Sequence, residues 1–263
     1  MGFYQEREIA DNLAQACRVL GAFDMTNAAL GHVSYRLEGT DSMLIKGKGP
    51  NEVGLRYTRT RDIVKVDFEA EMLDGPDDLQ PPSESFLHIW IYKNRPDVKS
   101  VVHVHPEYAL LLGITGKADH IYQTYSSYDG SSAAFAREGL PIYPSSRTIA
   151  TPEQGDEFAR CMGNKNGALM VGHGIATAGE GIEQSTLNAL ALERLCRITY
   201  KSYLIGTPNP LPEGDLAAPR REPGEGRRRR GSVGGTEGMM ATWRYYVGVA
   251  EERLGHHVDR NND

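Results

Sequence analysis

Apolar residues follow a helical spacing near the start of the chain and an extended pattern soon afterwards. Gly21 follows the helical set, so we predict an amphipathic helix of about 15 residues there. Residues 27–34 carry small side chains around a glycine, which indicates a loop that enters a strand. Short strands are predicted at residues 43–45 and 63–68, separated by the glycine-rich stretch 46–50. The helical set consists of Ile9, Leu13, Ala16, Cys17 and Leu20.

The middle of the chain alternates predicted helices with predicted strands. A helix is predicted to begin near Ser83 and to stop before Pro96, and an apolar strand follows at residues 101–105. A short helix is predicted over residues 107–112. The later elements are a helix from an N-cap at Thr151 to about Gly163, a buried strand at 168–171, and a long helix from Ile182 to Leu204.

These elements alternate without a strict strand–helix repeat. No glycine fingerprint of the dinucleotide-binding kind follows a strand. The pattern therefore predicts a layered α/β domain with a mixed or antiparallel sheet. A chain of 263 residues is long enough to bury a substantial core.

The composition changes after the long helix. Residues 208–235 are rich in proline, glycine and charge and include the run Arg227–Arg230, so this segment cannot bury enough apolar surface to fold alone. Apolar and aromatic residues return afterwards, which predicts a terminal helix from about Thr236 to Leu254. We expect three parts: a catalytic domain at 1–207, a mobile segment at 208–235, and a C-terminal helix and tail at 236–263 that pack on the body or on a neighbouring subunit.

Net charge, the length of apolar stretches and the number of cysteines restrict the partners and the environment of the protein. The formal charge of −6 and the pI near 5.8 give no basic footprint for nucleic acid, so a small-molecule partner is expected. No stretch approaches the ~20 apolar residues of a membrane span, and the first residues lack a secretory signal, so we expect a cytoplasmic protein without a membrane partner. Cys17, Cys161 and Cys196 are far apart and odd in number, so we interpret them as small buried apolar residues.

Two histidines alternate with valines in the predicted strand at residues 101–105. Because strand side chains alternate between two faces, His103 and His105 point to the same side. Two neutral imidazoles together on a core strand each need a polar partner. A divalent metal meets that need, since histidine is the commonest metal ligand; a hydrophobic strand that happens to carry two histidines is the alternative.

His173 is a candidate third ligand. It stands between Gly172 and Gly174, where the backbone can turn sharply and present the imidazole. With His103 and His105 it would form a three-nitrogen site with open positions, as in catalytic metal sites. A loop histidine with ordinary hydrogen bonds is the alternative.

Glu84 is the candidate proton carrier. It lies in the first turn of its predicted helix, where the dipole favours a carboxylate, so capping is one interpretation. The other is that Glu84 reaches the metal or the substrate beside it. His88 follows one turn later at a spacing that suits a ligand or a structural hydrogen bond, and we favour the structural role.

In order, these residues resemble a known family. The series is Pro82-Ser83-Glu84, His88, Arg95-Pro96-Asp97-Val98, His103-Val104-His105-Pro106 and Gly172-His173-Gly174. It is similar to the class II aldolase/adducin superfamily, and the resemblance runs from the first helix to about Gly206.

The resemblance implies a three-layer α/β/α sandwich with a mixed, mostly antiparallel central sheet. It also implies a divalent metal on His103, His105 and His173, with Glu84 as an acid–base group that can itself approach the metal. Nitrogen and carboxylate ligands admit Zn, Mn, Fe or Co.

The same resemblance implies an assembly. Members of the family commonly form a fourfold ring with the active site at a subunit interface. We therefore expect a homo-oligomer, a tetramer or a multiple of one, in which Tyr245 and Tyr246 reach a neighbouring site.

Departures from the sugar-phosphate members indicate a different substrate. Those members carry Gly-Asn where this chain has Gly31-His32-Val33-Ser34, and Ser-Ser where it has Pro82-Ser83. These positions cradle a phosphate through amide and hydroxyl donors, which proline lacks. A histidine at position 32 resembles instead the metal-dependent decarboxylases of hydroxylated aromatic or pyridine dicarboxylates, such as 3,4-dihydroxyphthalate.

Arg147 lies in a Pro/Ser loop, and its planar guanidinium suits a carboxylate; an ordinary exposed arginine is the alternative. The sequence thus predicts a non-oxidative decarboxylase of a small carboxylate, with Glu84, Arg147 and His32 as catalytic residues. An aldolase or epimerase of a phosphorylated or acidic sugar is the second hypothesis, and a scaffold like the adducin head is the third. The predicted substrate-binding residues are Ser83, Ser34, Tyr245 and Tyr246.

Overall fold

The computed structural model describes residues 3–118, 135, 139–208 and 235–255. In these residues one eight-stranded sheet lies between helices. The strands are β1 (His32–Arg36), β2 (Ser42–Lys46), β3 (Ile63–Asp67), β4 (Met72–Asp74), β5 (Ser100–Val104), β6 (Ile142–Tyr143), β7 (Gly167–Met170) and β8 (Gly174–Gly179). The helices are α1 (Phe3–Ala22), α2 (Ser85–Asn94), α3 (Glu107–Ile114), α4 (Pro152–Met162), α5 (Ile182–Ile205) and α6 (Gly235–Leu254).

The sheet has the strand order β4-β3-β2-β1-β5-β8-β7-β6. Neighbouring strands are antiparallel except for β6 and β7, which are parallel. The expectation of a mixed, mostly antiparallel sheet is therefore confirmed. β1 and β5 form the centre, and their register sets His32 directly opposite His103.

Helices cover both faces of this sheet, so the predicted three-layer sandwich is also confirmed. α2 and α4 pack over one apolar core, which includes Ile45, Val101 and Phe158. α1, α3 and α5 cover the other core, which includes Leu13, Val102 and Leu192. Val101 and Val102 thus face opposite layers, as the period of two in a strand requires.

Local sequence explains several element boundaries. α4 begins with a capping box, in which Thr151 Oγ1 accepts a hydrogen bond from the Gln154 amide and the Gln154 side chain accepts one from the Thr151 amide. α2 ends before Pro96, as predicted, because proline disfavours a helical residue before it. α3 follows Pro106 and extends to Ile114, two residues past the predicted end.

Other boundaries and elements differ from the predictions. α2 begins at Ser85 rather than near Ser83. β8 was not predicted because Gly174-Ile175-Ala176-Thr177-Ala178-Gly179 lacks the large β-branched pattern of a strand. It lies buried between β5 and β7, where small side chains fit. Cys17 and Cys196 are buried free thiols as expected, whereas Cys161 is partly exposed.

The C-terminal helix α6 packs against α1 and α5. The segment before it, including Arg227–Arg230, lies outside the described residues, and the three-part division stays a prediction. Across the described ranges, no helix combines the length and the apolar character that a bilayer crossing needs.

Candidate metal centre

The end of β5 positions two imidazoles. His103 is completely buried, and its Nδ1–H donates to the carbonyl oxygen of Ile175 on β8 at 3.0 Å. Because this bond occupies Nδ1, Nε2 is the nitrogen that is available to a metal. His105 follows just past the strand end, and its Nε2 lies 3.0 Å from Nε2 of His103.

His105 is held in a form that also suits a ligand. Burial lowers the pKa of its imidazole to about 3, so the ring is neutral at pH 7. Its Nδ1 contacts Thr26 Oγ1 at 3.4 Å, and its ring stands perpendicular to that of His103. The two Nε2 atoms therefore approach each other from different directions, as ligands of one ion do.

Glycines on both sides place His173 in the same pocket. Gly172 has φ = +68°, a conformation that a side chain would strain. A Cβ atom on Gly174 would lie 2.4 Å from the Val104 carbonyl oxygen and 2.8 Å from the His105 ring, so only glycine allows β8 to approach here. Burial lowers the pKa of His173, but the Glu84 carboxylate, 3.4 Å away, outweighs this and raises it.

Glu84 lies at the centre of these imidazoles. It immediately precedes α2, and in the described part of the chain its side chain makes no capping bond to that helix. One carboxylate oxygen lies 3.1 Å from His103 Nε2, and the other accepts a hydrogen bond from the Ile149 amide at 3.2 Å. Burial acts to raise the pKa of Glu84, but attraction to His103 and hydrogen bonds from His103 and His173 hold it well below its usual range.

Together these four residues meet the requirements of a divalent metal site. One ligand atom from each of Glu84, His103, His105 and His173 lies within 4.8 Å of the others. Three imidazole nitrogens and one carboxylate form a donor set that Zn, Mn, Fe and Co accept. Nε2 of His103 lies 3.0 Å from Nε2 of His105 and 3.1 Å from a Glu84 oxygen, so the donor atoms crowd around one point as ligands of a shared cation do.

His32 lies beside the cluster, on the central strand β1. Its Nε2 is 3.9 Å from a Glu84 oxygen, and its ring centre is 5.2 Å from that of His103. Burial, and after it the neighbouring imidazoles, keep the pKa of His32 well below its ordinary value. Its Nδ1 contacts His88, which is buried and also contacts Ser34, so His88 has the hydrogen-bonding role that we favoured.

The structure does not bring every predicted residue to this cluster. Ser34 is completely buried behind His32, and its hydroxyl contacts His88 and Tyr92. Ser83 is exposed next to Glu84. The roles of both residues in substrate binding stay predictions.

The loop that carries Arg147 contacts the cluster through its backbone, because Ser146 and Arg147 form backbone hydrogen bonds with His173. Arg147 is exposed and lines a cavity of about 110 Å³ with Tyr143 and Glu157, among others. Tyr246 packs edge-on against Phe23, and Tyr245 is 65% exposed. The role of both tyrosines in substrate binding stays a prediction.

Sequence reasoning missed two residues at the pocket. Burial and the neighbouring histidines lower the pKa of His105 most. The positive charge of Lys48 lies close enough to lower this pKa further. Its backbone pairs with Gln80, just before the Glu84 loop, which places it beside the cluster. Thr26 contacts His105 from the loop before β1. Lys48 and Thr26 both lie in predicted loops, where no periodic pattern marks a functional residue. The lysine between two glycines at residues 47–49 was the one sequence feature that could have pointed to Lys48.

Comparisons with known proteins agree with this geometry. A family model for the class II aldolase and adducin N-terminal domain matches residues 11–200. The 3,4-dihydroxyphthalate decarboxylase of Terrabacter sp. is 32% identical over 221 residues, which cover 82% of this chain and 90% of that protein. The 5-deoxy-D-ribulose 1-phosphate aldolase of Bacillus thuringiensis is 26% identical over 200 residues, which cover 70% of this chain and 89% of that protein.

A comparison with solved structures identifies the same fold. The crystal structure of an aldolase II superfamily protein from Pseudomonas syringae matches with a TM-score of 0.77 at 21% identity, and the match covers 94% of each chain. A family model that spans most of the chain and a relative at 32% identity both identify the same group. The chain belongs to the class II aldolase and adducin family.

Proposed function

We propose that this protein is a metal-dependent, non-oxidative decarboxylase of a hydroxylated aromatic or heteroaromatic dicarboxylate such as 3,4-dihydroxyphthalate. The observation that carries the proposal is His32, whose ring lies in the pocket beside Glu84 and His103. The sugar-phosphate members that the sequence resembles carry asparagine at that position. The 32% identity to a 3,4-dihydroxyphthalate decarboxylase supports the same choice.

His103, His105, His173 and Glu84 would hold the divalent cation. When bound, the cation supplies a positive charge that stabilises the electrons released as the carbon–carbon bond breaks. The protein residues bind the substrate so that its hydroxyl and the adjacent carboxylate face this cluster. The buried walls formed by β1 and β5 keep water away from the reacting carbon and strengthen these electrostatic interactions.

Glu84 carries the proton in this proposal. It is ionised when the substrate arrives because, despite burial, its histidine neighbours keep its pKa low. The carboxylate accepts the hydrogen of the ring hydroxyl and donates it to the ring carbon that carbon dioxide leaves. The electron pair of the broken bond forms the new C–H bond. The product phenolate takes one proton from water on release, so one proton is consumed for each carbon dioxide formed.

Carboxylate recognition is assigned to His32 and Arg147. His32 is already in the pocket, and an N–H on its Nε2 would donate to a substrate oxygen. Arg147 lies in the loop that reaches Glu84 through the Ile149 amide. Its guanidinium would bind the second carboxylate through paired hydrogen bonds.

The Glu84→Gln variant tests the proposal. We expect the variant to keep its metal, because an amide oxygen and three imidazoles remain, while carbon dioxide release from 3,4-dihydroxyphthalate falls by about 100-fold or more. Metal analysis and a carbon dioxide assay measure the two effects. Glu69→Gln is the matched control and should keep full activity, since the Glu69 side chain is 77% exposed on the β3–β4 turn. Turnover by Glu84→Gln at the wild-type rate would remove Glu84 from the mechanism.

Aldol cleavage of a sugar phosphate is the second candidate. The 26% identity to a 5-deoxy-D-ribulose 1-phosphate aldolase is the observation that favours it. Incubation with dihydroxyacetone phosphate and an aldehyde distinguishes the two reactions. Formation of a carbon–carbon bond there, without carbon dioxide release from aromatic dicarboxylates, would contradict the decarboxylase proposal.

A further inference from the structure

Four buried polar side chains form a continuous row of contacts behind the pocket. The hydroxyl of Tyr92 lies 2.6 Å from Ser34 Oγ, which lies 2.6 Å from Nδ1 of His88. Nε2 of His88 lies 2.7 Å from Nδ1 of His32. The remaining nitrogen, His32 Nε2, faces a Glu84 oxygen at 3.9 Å. His32 is 3% exposed and the other three residues of the row are completely buried, so the row is shielded from solvent.

Each of these three contacts holds one hydrogen, which belongs to one of the two partners. The choice of donor in one contact therefore determines the donor in the next. His88 is completely buried and, among the described residues, its ring nitrogens contact only Ser34 and His32, so its ring is neutral, and the 2.7 Å between His88 Nε2 and His32 Nδ1 leaves room for one hydrogen. A neutral imidazole has one N–H and one bare nitrogen. The donors therefore point either all toward the pocket or all away from it.

In the first direction, each of the three hydrogen bonds within the row has one donor and one acceptor. Tyr92 donates to Ser34, Ser34 donates to Nδ1 of His88, and Nε2–H of His88 donates to Nδ1 of His32. His32 then carries its own hydrogen on Nε2. This hydrogen faces the Glu84 carboxylate, which is an attractive arrangement.

The second direction leaves groups unpaired. His32 donates from Nδ1, so its bare Nε2 faces the negative carboxylate of Glu84. His88 donates to Ser34, and one hydrogen from the Ser34 and Tyr92 hydroxyls then has no acceptor among the described residues. An unpaired buried donor and a lone pair opposite an anion are both unfavourable, so the first direction prevails.

We infer that Tyr92, Ser34 and His88 are positioning residues that hold His32 with its hydrogen on Nε2. In this form Nε2 cannot become a further metal ligand, although it lies beside the cluster. It offers instead a hydrogen-bond donor to an anionic oxygen of the substrate. The donor's use in substrate binding rests on the proposed function, whereas the position of the hydrogen does not.

Nitrogen-15 NMR of histidine-labelled protein tests the position of the hydrogen. Magic-angle spinning suits any oligomer size, and the His32 signals are those that the His32→Asn variant lacks. We expect a protonated Nε2 and a bare Nδ1 for His32, in the metal-free protein and after zinc loading. A wild-type spectrum with the hydrogen on Nδ1 would overturn the inference without any need for a variant.

A matched pair of variants tests the role of His88. His88→Gln keeps an N–H donor near the place of Nε2, whereas His88→Leu has a similar bulk and no donor. We expect His32 to keep its Nε2 hydrogen in the glutamine variant and to show a mixture of both forms in the leucine variant. If His32 stays entirely in the Nε2–H form in His88→Leu, Glu84 alone fixes it and the positioning role is wrong.

Metal content and kinetics separate this inference from the proposed function. Both variants should bind metal like the wild type, since His88 is not a ligand. With the aromatic dicarboxylate as substrate, KM should rise about tenfold in His88→Leu and stay near the wild-type value in His88→Gln. If the spectra agree but no decarboxylation occurs with any variant or the wild type, the proposed function fails and the inferred hydrogen position stands.

Discussion

Glu84 acquires its properties from groups distributed over the whole chain. His103 comes from the central strand β5, His173 from the turn before β8, and the amide of Ile149 from the loop before α4. Despite burial, these donors stabilise the ionised carboxylate, which therefore accepts a proton before it can give one. The chemistry of this one residue is thus a property of three loops and strands that converge on it.

Lys48 is expected to contribute to substrate affinity through its charge. It is half-buried beside His105, and a dianionic substrate in the pocket would gain a favourable interaction with the ammonium group. We expect Lys48→Met to raise KM for the aromatic dicarboxylate about tenfold, with a smaller effect on kcat and none on metal content. Steady-state kinetics measures this change. Lys99→Met is the control, because Lys99 is exposed at the start of β5; an equal KM in both variants would contradict the role of Lys48.

At the scale of the element, α3 depends on a residue far away in the sequence. Its N-cap residue, Pro106, has no side-chain donor or acceptor, and Glu193 from α5 accepts hydrogen bonds from the amides of Tyr108 and Ala109 instead. Because α3 begins directly after His105, this contact also anchors the end of β5. Burial raises the pKa of Glu193 to about 7, although these bonds favour the charged form.

The raised pKa gives the stability a defined pH dependence. Between about pH 4.5 and 7 the folded protein holds a proton on Glu193 that the unfolded chain has lost, so stability falls as the pH rises and is constant above that window. The Glu193→Gln variant has no such titration. Its free energy of unfolding relative to the wild type should therefore rise by about 2–3 kcal/mol from pH 5 to pH 8. Denaturant titrations at both pH values measure it. Glu180→Gln, at an exposed position, should show no such trend, and a constant difference for Glu193→Gln would contradict the prediction.

The pairing of β8 with β5 depends on the absence of a side chain at Gly174. A Cβ there would meet the Val104 carbonyl and the His105 ring, so Gly174→Ala must separate the strands or move the ligand. We expect a loss of about 1–3 kcal/mol in the free energy of unfolding, together with weaker metal binding. Chemical denaturation and metal titration measure both effects. Gly206→Ala has open space around its Cβ position and is the control; equal behaviour of the two variants would show that β8 adapts.

At the scale of the molecule, subunit assembly is still a proposal. The exposed ring of Tyr245 and the half-buried ring of Tyr246 lie on α6, which packs on α1 and α5 of the same chain. If a neighbouring subunit's tyrosine completes each site, then Glu84→Gln and Tyr245→Ala are each inactive alone. Hybrid oligomers of the two variants should regain part of the activity, because some interfaces pair an intact Glu84 with an intact Tyr245.

Mixed refolding or coexpression with two affinity tags provides these hybrids. Decarboxylase activity of the doubly purified oligomer measures the recovery. An active Tyr245→Ala homo-oligomer, or hybrids without activity, would contradict a shared active site. Light scattering of the wild type gives the number of subunits.

Much of the fold followed from local patterns along the sequence. The apolar periods of α1 and α5, the N-cap at Thr151 and the valines of β5 each predicted the element that is present. The alternation of His103 and His105 predicted two ligands on one face, because strand geometry alone sets that direction. Most element boundaries shifted by one or two residues, and α1 has 20 residues rather than about 15, since helix ends depend on contacts with other elements.

The tertiary structure decided what no local pattern contains. β8 is a strand because its small residues fit between β5 and β7, and Ser34 contacts His88 because the pairing of β1 with β5 and the position of α2 bring these two side chains together. The sequence by itself determined which residues have the chemistry of a metal site, since ligand type and strand period are local properties. Only the packed structure decided their distances, the charge on Glu84 and the neighbours of His32, because those quantities depend on residues that are distant in sequence and buried together.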